Sequence, residues 1–279
     1  MSLPSDEKQA TDVVNRALDL GINFFDTADI YADGLNESLL GKIFKQNRSN
    51  VLIASKAGNV RRPDGGLDWN PTKQHILESI EGSLKRLDTD YIDLFQLHGG
   101  TISDNIDEVI ETFELIKKQG KIRNYGISSI RPNVITEYIK RSEIVSVMMQ
   151  YSLLDRRPEE QCLEMLHNHN IGVLVRGALA QGLLIDKPAK QYLDLPAPTV
   201  EQGAKAVKNL SQDERSATHI AIQYVLSHKA VTSAVVGIRT VQQLEDVVAA
   251  ITANPLTDNE LDSLRSSVPA LRYREHRID

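Results

Sequence analysis

A (β/α)8 barrel is the fold class this sequence predicts, and three observations predict it. Short apolar segments recur along the chain, each followed by an amphipathic helical stretch, the rhythm of parallel strands covered by helices. The length, 279 residues, is near the ~250 usual for such a barrel. No composition break or Ser/Gly-rich linker interrupts the series, so residues 1–279 are expected to form a single domain.

The elements follow in order. Ala10, Val13, Val14, Ala17 and Leu18 share one stripe and predict a helix over Asp6–Leu20, with Ser5 as N-cap and Gly21 as stop. A strand, Ile22–Phe25, comes next, then a helix with Leu39, Leu40, Ile43 and Phe44 inward, then the strand VLIAS from Val51. Ile76, Ile80, Leu84 and Leu87 predict a helix over Thr72–Leu87, leading into the strand YIDLFQL. The alternation continues as helix near Asn105–Gln119, strand Ile122–Ile127, helix opened by Pro132, strand Ile144–Met149, helix opened by Pro158 and strand Val173–Val175. The Pro-rich stretch Leu184–Thr199 reads as a loop over the barrel mouth. A helix over Ser216–Ser227, a strand over Ser233–Val236 and a helix over Thr240–Ile251 close the series. That makes seven strands. An eighth is expected around Met1–Leu3 or upstream of Met1, the alternative being a barrel open between its second and eighth strands, with two sheet edges exposed.

Composition narrows the function. The chain is 41% hydrophobic and 25% charged, with 32 basic and 38 acidic residues and a net charge of -6. Without a dense Lys/Arg block, a nucleic-acid or anionic-membrane partner is not expected; a small molecule is. Cys162 is the only cysteine, so no disulfide framework exists, and no stretch reads as a signal peptide or an 18-residue apolar span. The expected location is cytoplasmic, with no obligate protein partner.

In a barrel of this class chemistry gathers at the C-terminal ends of the strands. Those ends deliver Asp26 and, in the following loop, Tyr31; then Lys56; then His98. Asp29 and Asp33 read as exposed loop carboxylates, and His167 and His169 as an exposed helix terminus; neither pair has the further ligands a metal needs, and no metal site is expected.

The segments FDTADIYADGLNESLLG from Phe25, IASK from Ile53, TDYIDLFQLH from Thr89 and KIRNYGISS from Lys121 resemble the aldo-keto reductase family over nearly the whole chain. The likeness is closest to bacterial reductases whose strand ends in LHGG. It puts the family's Asp, Tyr, Lys and His tetrad on Asp26, Tyr31, Lys56 and His98, and implies reduction of aldehydes or ketones to alcohols by hydride from NADPH, with Tyr31 as general acid. The chemistry can also be argued from the residues. A carbonyl that receives a hydride becomes an oxyanion and needs a proton donor and a group to hold the oxygen. A tyrosine, ordinarily titrating near pH ~10, donates more easily beside an ammonium, the role that fits Lys56. Asp26 would hold Lys56 as a buried ion pair, and His98 would orient the substrate oxygen.

No G-x-G-x-x-G follows a strand and no G-x-x-x-x-G-K-[ST] occurs, so neither Rossmann nor P-loop binding is indicated. The segments RGALAQGLL from Arg176 and VVGIRTVQQLED from Val235 resemble instead the family's pyridine-dinucleotide loops. By that resemblance Ser128 and Gln150 bind the nicotinamide amide, Tyr151 stacks on its ring, and the backbone of Gly177, Ala178, Leu179 and Gln181 holds the diphosphate. Arg239, after Gly237, meets the adenosine 2'-phosphate, and a guanidinium there is the reason to expect NADPH rather than NADH. Gln243 stands open between contacting adenine and completing a capping box with Thr240. Departures from the pattern are Ala178 in place of a proline, Val247 in place of an asparagine, and the lack of the N-terminal hairpin and most of strand 1. The pocket would be shaped by loops and the C-terminal tail, with Trp69, Arg272 and Tyr273 as candidates. A Schiff-base aldolase would use Lys56 without needing Tyr31 or His98, and a non-catalytic nucleotide sensor would keep the cofactor loops alone.

Overall fold

The computed structural model describes residues 6–212 and 215–278. The strand expected around Met1–Leu3 and the N-cap Ser5 lie outside the described residues. Internal contacts group the chain into two compact units, one reaching to Val147 and the other spanning Met148–Arg277.

The first unit opens with α1 (Glu7–Asp19), where the Asp6 carboxylate caps the helix by accepting from the Gln9 N–H at 2.7 Å and Ala10, Val13, Val14 and Ala17 are buried. β1 (Phe24–Asp26) is followed by a tight 3₁₀ turn, Tyr31–Gly34, and by α2 (Leu35–Phe44). β2 (Leu52–Ala57) leads into a hairpin of β3 (Asn59–Arg61) and β4 (Leu67–Trp69). α3 (Lys73–Leu87), β5 (Ile92–Leu97), α4 (Ile106–Lys118), β6 (Ile122–Ser128) and α5 (Pro132–Arg141) complete it. β7 (Ser146–Gln150) crosses into the second unit, which continues with α6 (Cys162–Asn168), β8 (Gly172–Arg176), α7 (Ala197–Leu210), α8 (Ala217–Leu226), β9 (Val231–Val235), α9 (Val241–Thr252) and α10 (Asp258–Ser267).

Seven strands hydrogen-bond in the order β1-β2-β5-β6-β7-β8-β9, with β1 and β9 the two ends of that order among the described residues. Of the central strands, β2, β5 and β7 are buried along nearly their whole length. Ile53, Phe95 and Ile127 are at most 1% exposed, and each such side chain contributes about 1.5–3 kcal/mol of burial as an upper figure.

Register positions the site. Asp26 lies beside Ala54 of β2, and Lys56, two residues on, beside Gln96 of β5. Alternate residues of a strand share a face, so Ala54 and Lys56 point with Asp26 and Gln96, while Ser55 points the other way, toward the helices. One residue past β5, the His98 N–H donates to the Ala57 carbonyl at 2.7 Å.

The structure departs from the expected elements in four places. Pro158 opens only a 3₁₀ turn, Arg157–Glu160, and Gln161 breaks it with non-helical angles before α6 begins at Cys162. The segment read as a loop to Thr199 gives way to α7 at Ala197, because a proline in the first helical turn needs no intrahelical donor. Its remainder is no loose loop either: Leu184, Tyr192 and Leu195 are buried and Tyr192 and Leu195 bridge each other. Third, α10 and the β3–β4 hairpin were not expected, although Pro-Asp-Gly-Gly between two short runs is a hairpin signal and Thr257 with Glu260 forms a capping box. Finally, α1 begins at Glu7, one residue after the expected start, and Asp6 serves as its cap.

Candidate active site

Lys56 is the centre of the first unit's polar cluster. Its side chain is 0% exposed and its Nζ donates to Asp26 Oδ2 at 2.6 Å and to the Thr27 carbonyl at 2.7 Å. Gln96 Nε2 donates to the other Asp26 oxygen at 3.5 Å. Burial pushes the Asp26 carboxyl above its ordinary range, and the Lys56 ammonium and the Gln96 amide pull it partly back. A buried pair of this kind is expensive to desolvate and persists because each partner satisfies the other.

Lys56 Nζ also lies over the ring of Tyr31, 5.1 Å from its centre. The imidazole of His98 meets the same ring edge-on, with centroids 5.9 Å apart and planes at 79°. Asp26, Tyr31, Lys56 and His98, predicted from three strand ends, therefore stand together. Tyr31 reaches this place through a turn with little freedom. Its N–H donates to the Ala28 carbonyl at 3.1 Å, the Asp29 N–H donates to the Lys56 carbonyl at 3.2 Å, and Ala32 and Asp33 take left-handed angles before Gly34.

Of two further residues in this unit, one had no expected place and the other differs from expectation. Trp69, which the sequence left unplaced, lies against Gly58 and Gly99; a Cβ on either glycine would come within 2.7 Å and 2.9 Å of its ring. Its indole N–H donates to Asp104 at 3.0 Å. Asp29, read as an exposed loop carboxylate, is half-buried, with Oδ1 fully enclosed. Its carboxyl is lifted to about 7 by burial first and by Glu37 second. Asp33 is exposed and pairs with Arg61. Ser128 is half-buried at the end of β6.

The second unit carries the residues expected to meet a dinucleotide. Gln150, ending β7, is engaged at both ends of its amide: Oε1 accepts from Arg176 at 2.9 Å, and Nε2 donates to Asp155 at 2.8 Å and to the Tyr192 hydroxyl at 3.2 Å. Tyr151, expected to stack on the nicotinamide, is only 2% exposed, and its hydroxyl donates to Glu159 at 2.9 Å, so its ring belongs to the interior of this unit. Gly177, at φ +77°, turns the chain out of β8, and a Cβ there would come within 3.3 Å of Gln150 Cγ. Ala180, Gln181 and Gly182 also take left-handed angles, and no acceptor is found among the described residues for the N–H groups of Ala178, Leu179 and Gln181. Successive free amides in such a turn form an anion-binding concavity. Gly237 and Arg239 are exposed after β9, and the Arg239 guanidinium has no partner among the described residues. Thr240 caps α9 by accepting from the Gln243 N–H at 3.2 Å, and Gln243 Oε1 accepts from the Arg239 N–H at 3.0 Å. Free amides and an unpaired guanidinium are donors suited to a phosphate-rich ligand. Among the described residues no group of His, Cys, Asp and Glu has the arrangement to hold a metal ion, and no helix is long and apolar enough to cross a membrane.

Fold and tetrad together define an oxidoreductase of the (β/α)8 barrel class. Residues 2–269 match the model of the Aldo/keto reductase family, and the chain belongs to that family. It is 46% identical over 288 residues to an uncharacterized oxidoreductase of Bacillus subtilis, YqkF, covering 99% of this chain and 93% of the relative. It is 31% identical over 278 residues to L-galactose dehydrogenase of Arabidopsis thaliana, covering 94% and 81%. Among solved structures, the holo form of the aldo-keto reductase AKR11C1 from Bacillus halodurans matches with a TM-score of 0.91 at 44% identity, covering 99% of this chain and 93% of that one. Members of this family reduce carbonyl compounds with a nicotinamide cofactor, and this chain is an enzyme of that kind.

Proposed function

We propose that this enzyme reduces aldehydes or ketones to alcohols with NADPH and that Tyr31 supplies the proton. One observation carries the reading: the buried Lys56 ammonium, fixed by Asp26, faces the ring of Tyr31, which His98 meets edge-on. As the phenolic hydrogen leaves for the substrate oxygen, negative charge grows on the phenol beside a cation already in place, so little reorganisation is needed. His98 orients the oxygen that receives the proton. Asp26 holds Lys56 and takes no direct part. The bound cofactor supplies the hydride. Gln150 and Ser128 are assigned to its carboxamide, the amides of Gly177, Ala178, Leu179 and Gln181 to its diphosphate, and Arg239 to the 2'-phosphate that separates NADPH from NADH. Cys162 is a buried free thiol in α6, in keeping with a reducing compartment, and we place the enzyme in the cytoplasm.

Quenching of protein fluorescence by NADPH and by NADH, followed by single-turnover oxidation of bound NADPH with a panel of aldehydes, tests the reading. Tight NADPH binding with turnover is the expected result. Binding without turnover of any aldehyde would make the protein a nucleotide sensor and end the proposal.

A further inference from the structure

Tyr31 lies in a segment that meets α3 near both of its ends: Arg86 pairs directly with Glu37 at the far end and acts on Asp29 at the near end through its charge alone. At the near end Asp29 turns its carboxyl inward, where Arg86 and the Ser79 hydroxyl, both from α3, and the Ile30 N–H act on it. At the far end Glu37, 0% exposed, accepts from Arg86 Nε at 2.7 Å and from the Ser55 hydroxyl at 2.5 Å. Between them Gly34, at φ +82°, lies flat on the same guanidinium arm; a Cβ there would sit 2.5 Å from Arg86 Cδ. Ser55 precedes Lys56 in β2, so the far end of the segment is tied to the strand that carries the ammonium.

The charges of this cluster do not balance. The charged groups that act on Asp29 are Glu37, which opposes its ionisation, and Arg86, which favours it; on α3, His75 Nε2 lies 3.4 Å from the Ser79 hydroxyl, and burial holds that ring below its ordinary range. Both oxygens of Glu37 are engaged, whereas Asp29 Oδ1 is enclosed with no hydrogen-bond partner among the described residues. A bare carboxylate oxygen in that position is strongly disfavoured, and a proton on Asp29 removes the cost.

We propose that Asp29, Glu37 and Arg86 form the clamp that positions Tyr31, and that it holds fully only while Asp29 is protonated. This rests on the assignment of Tyr31 as the acid. The lift of the Asp29 carboxyl to about 7 agrees with it. When Asp29 ionises, a second negative charge opposes Glu37 and competes for Arg86, and the turn bearing Tyr31 loosens.

The test is the pH profile of kcat for NADPH-dependent reduction of an aromatic aldehyde by wild type, D29N, D29A and Y31F, with thermal midpoints at the same pH values. Wild-type kcat is expected to fall as pH rises through about 7, while D29N, neutral and of the same shape at every pH, keeps its low-pH rate, so the two differ by about fivefold or more on the alkaline side. D29A, neutral but without the contacts, is expected to be slower throughout. The folded state holds the Asp29 proton more tightly than the unfolded state, so wild-type stability should decline as pH rises from the ordinary carboxylate range to about 7, and D29N should lack that decline. D29N sharing the wild-type alkaline fall, with Y31F inactive, would overturn the clamp alone. A Y31F enzyme that still turns over would overturn the acid assignment on which it rests.

Discussion

Lys56 and Arg239 are both cations that the proposed function sets against a charge that develops or arrives on a ligand, and they live in opposite surroundings. Lys56 is fully buried, spends two of its hydrogens on Asp26 and Thr27, and is fixed by the register of β2 against β1 and β5. Arg239 is exposed in a loop, and its guanidinium has no hydrogen-bond or ion-pair partner among the described residues. The first unit has its chemistry assembled before any ligand comes, and the second offers donors that a ligand must recruit. A buried, paired charge is matched to a transition state because it does not need to move. An exposed charge suits binding, where solvent screening limits its worth and allows release. Damage to the first kind should therefore cost rate and stability together, and damage to the second should cost affinity alone.

The sharpest break comes at Tyr31. Y31F removes the proposed proton donor and keeps the ring against His98, so kcat should drop by about 10²–10⁴ while NADPH affinity stays within about twofold. Single-turnover rates and a fluorescence titration on the same preparation read both. Equal loss in rate and affinity would erase the contrast between the units.

Next is the pair itself. Lys56→Met leaves Asp26 buried without its cation, which should destabilise the fold by about 3–5 kcal/mol, read in a urea titration, besides lowering turnover. The double variant Lys56→Met with Asp26→Leu should regain much of that stability and none of the activity. A single variant as stable as wild type would show that the pair is not a buried unit.

The contrast also explains which parts were legible in the sequence. Asp26, Tyr31, Lys56 and His98 could be read because strand ends of a parallel barrel share one rim, a rule that depends only on local periodicity. Asp29 could not. Its partners lie on α2 and α3, and Arg86 is 57 positions away (86 minus 29), a distance at which spacing carries no information. The α7 helix was hidden by prolines that break a helix in its interior and suit it at its start. Tyr151 shows the limit of resemblance. The resemblance set its ring on the nicotinamide, whereas Glu159, also holding Tyr224, draws the hydroxyl inward.

A milder test addresses the exposed cation. R239Q should weaken NADPH by about tenfold, the worth of a charge-assisted contact at an exposed site, and leave NADH unchanged, since NADH lacks the 2'-phosphate. Raising salt should narrow the wild-type preference toward that of the variant. A loss of equal size for both cofactors would detach Arg239 from the 2'-phosphate, while the first unit's rates should not respond to the substitution at all.

The smallest effect belongs to Gln243, where helix and ligand compete for one side chain. In the structure its Oε1 accepts from the Arg239 N–H, one position before the Thr240 cap, and its own N–H serves that cap. If the side chain works for the helix start, Q243A should lower stability by about 0.5–1 kcal/mol and shift NADPH affinity by less than about threefold, an indirect result of freeing the Arg239 backbone. If it works for adenine, the order reverses: affinity for NADPH and NADH falls together, because both carry the same base, and the thermal midpoint holds. The hydrogen bond to Arg239 favours the first outcome, and a denaturation curve beside two titrations separates the two.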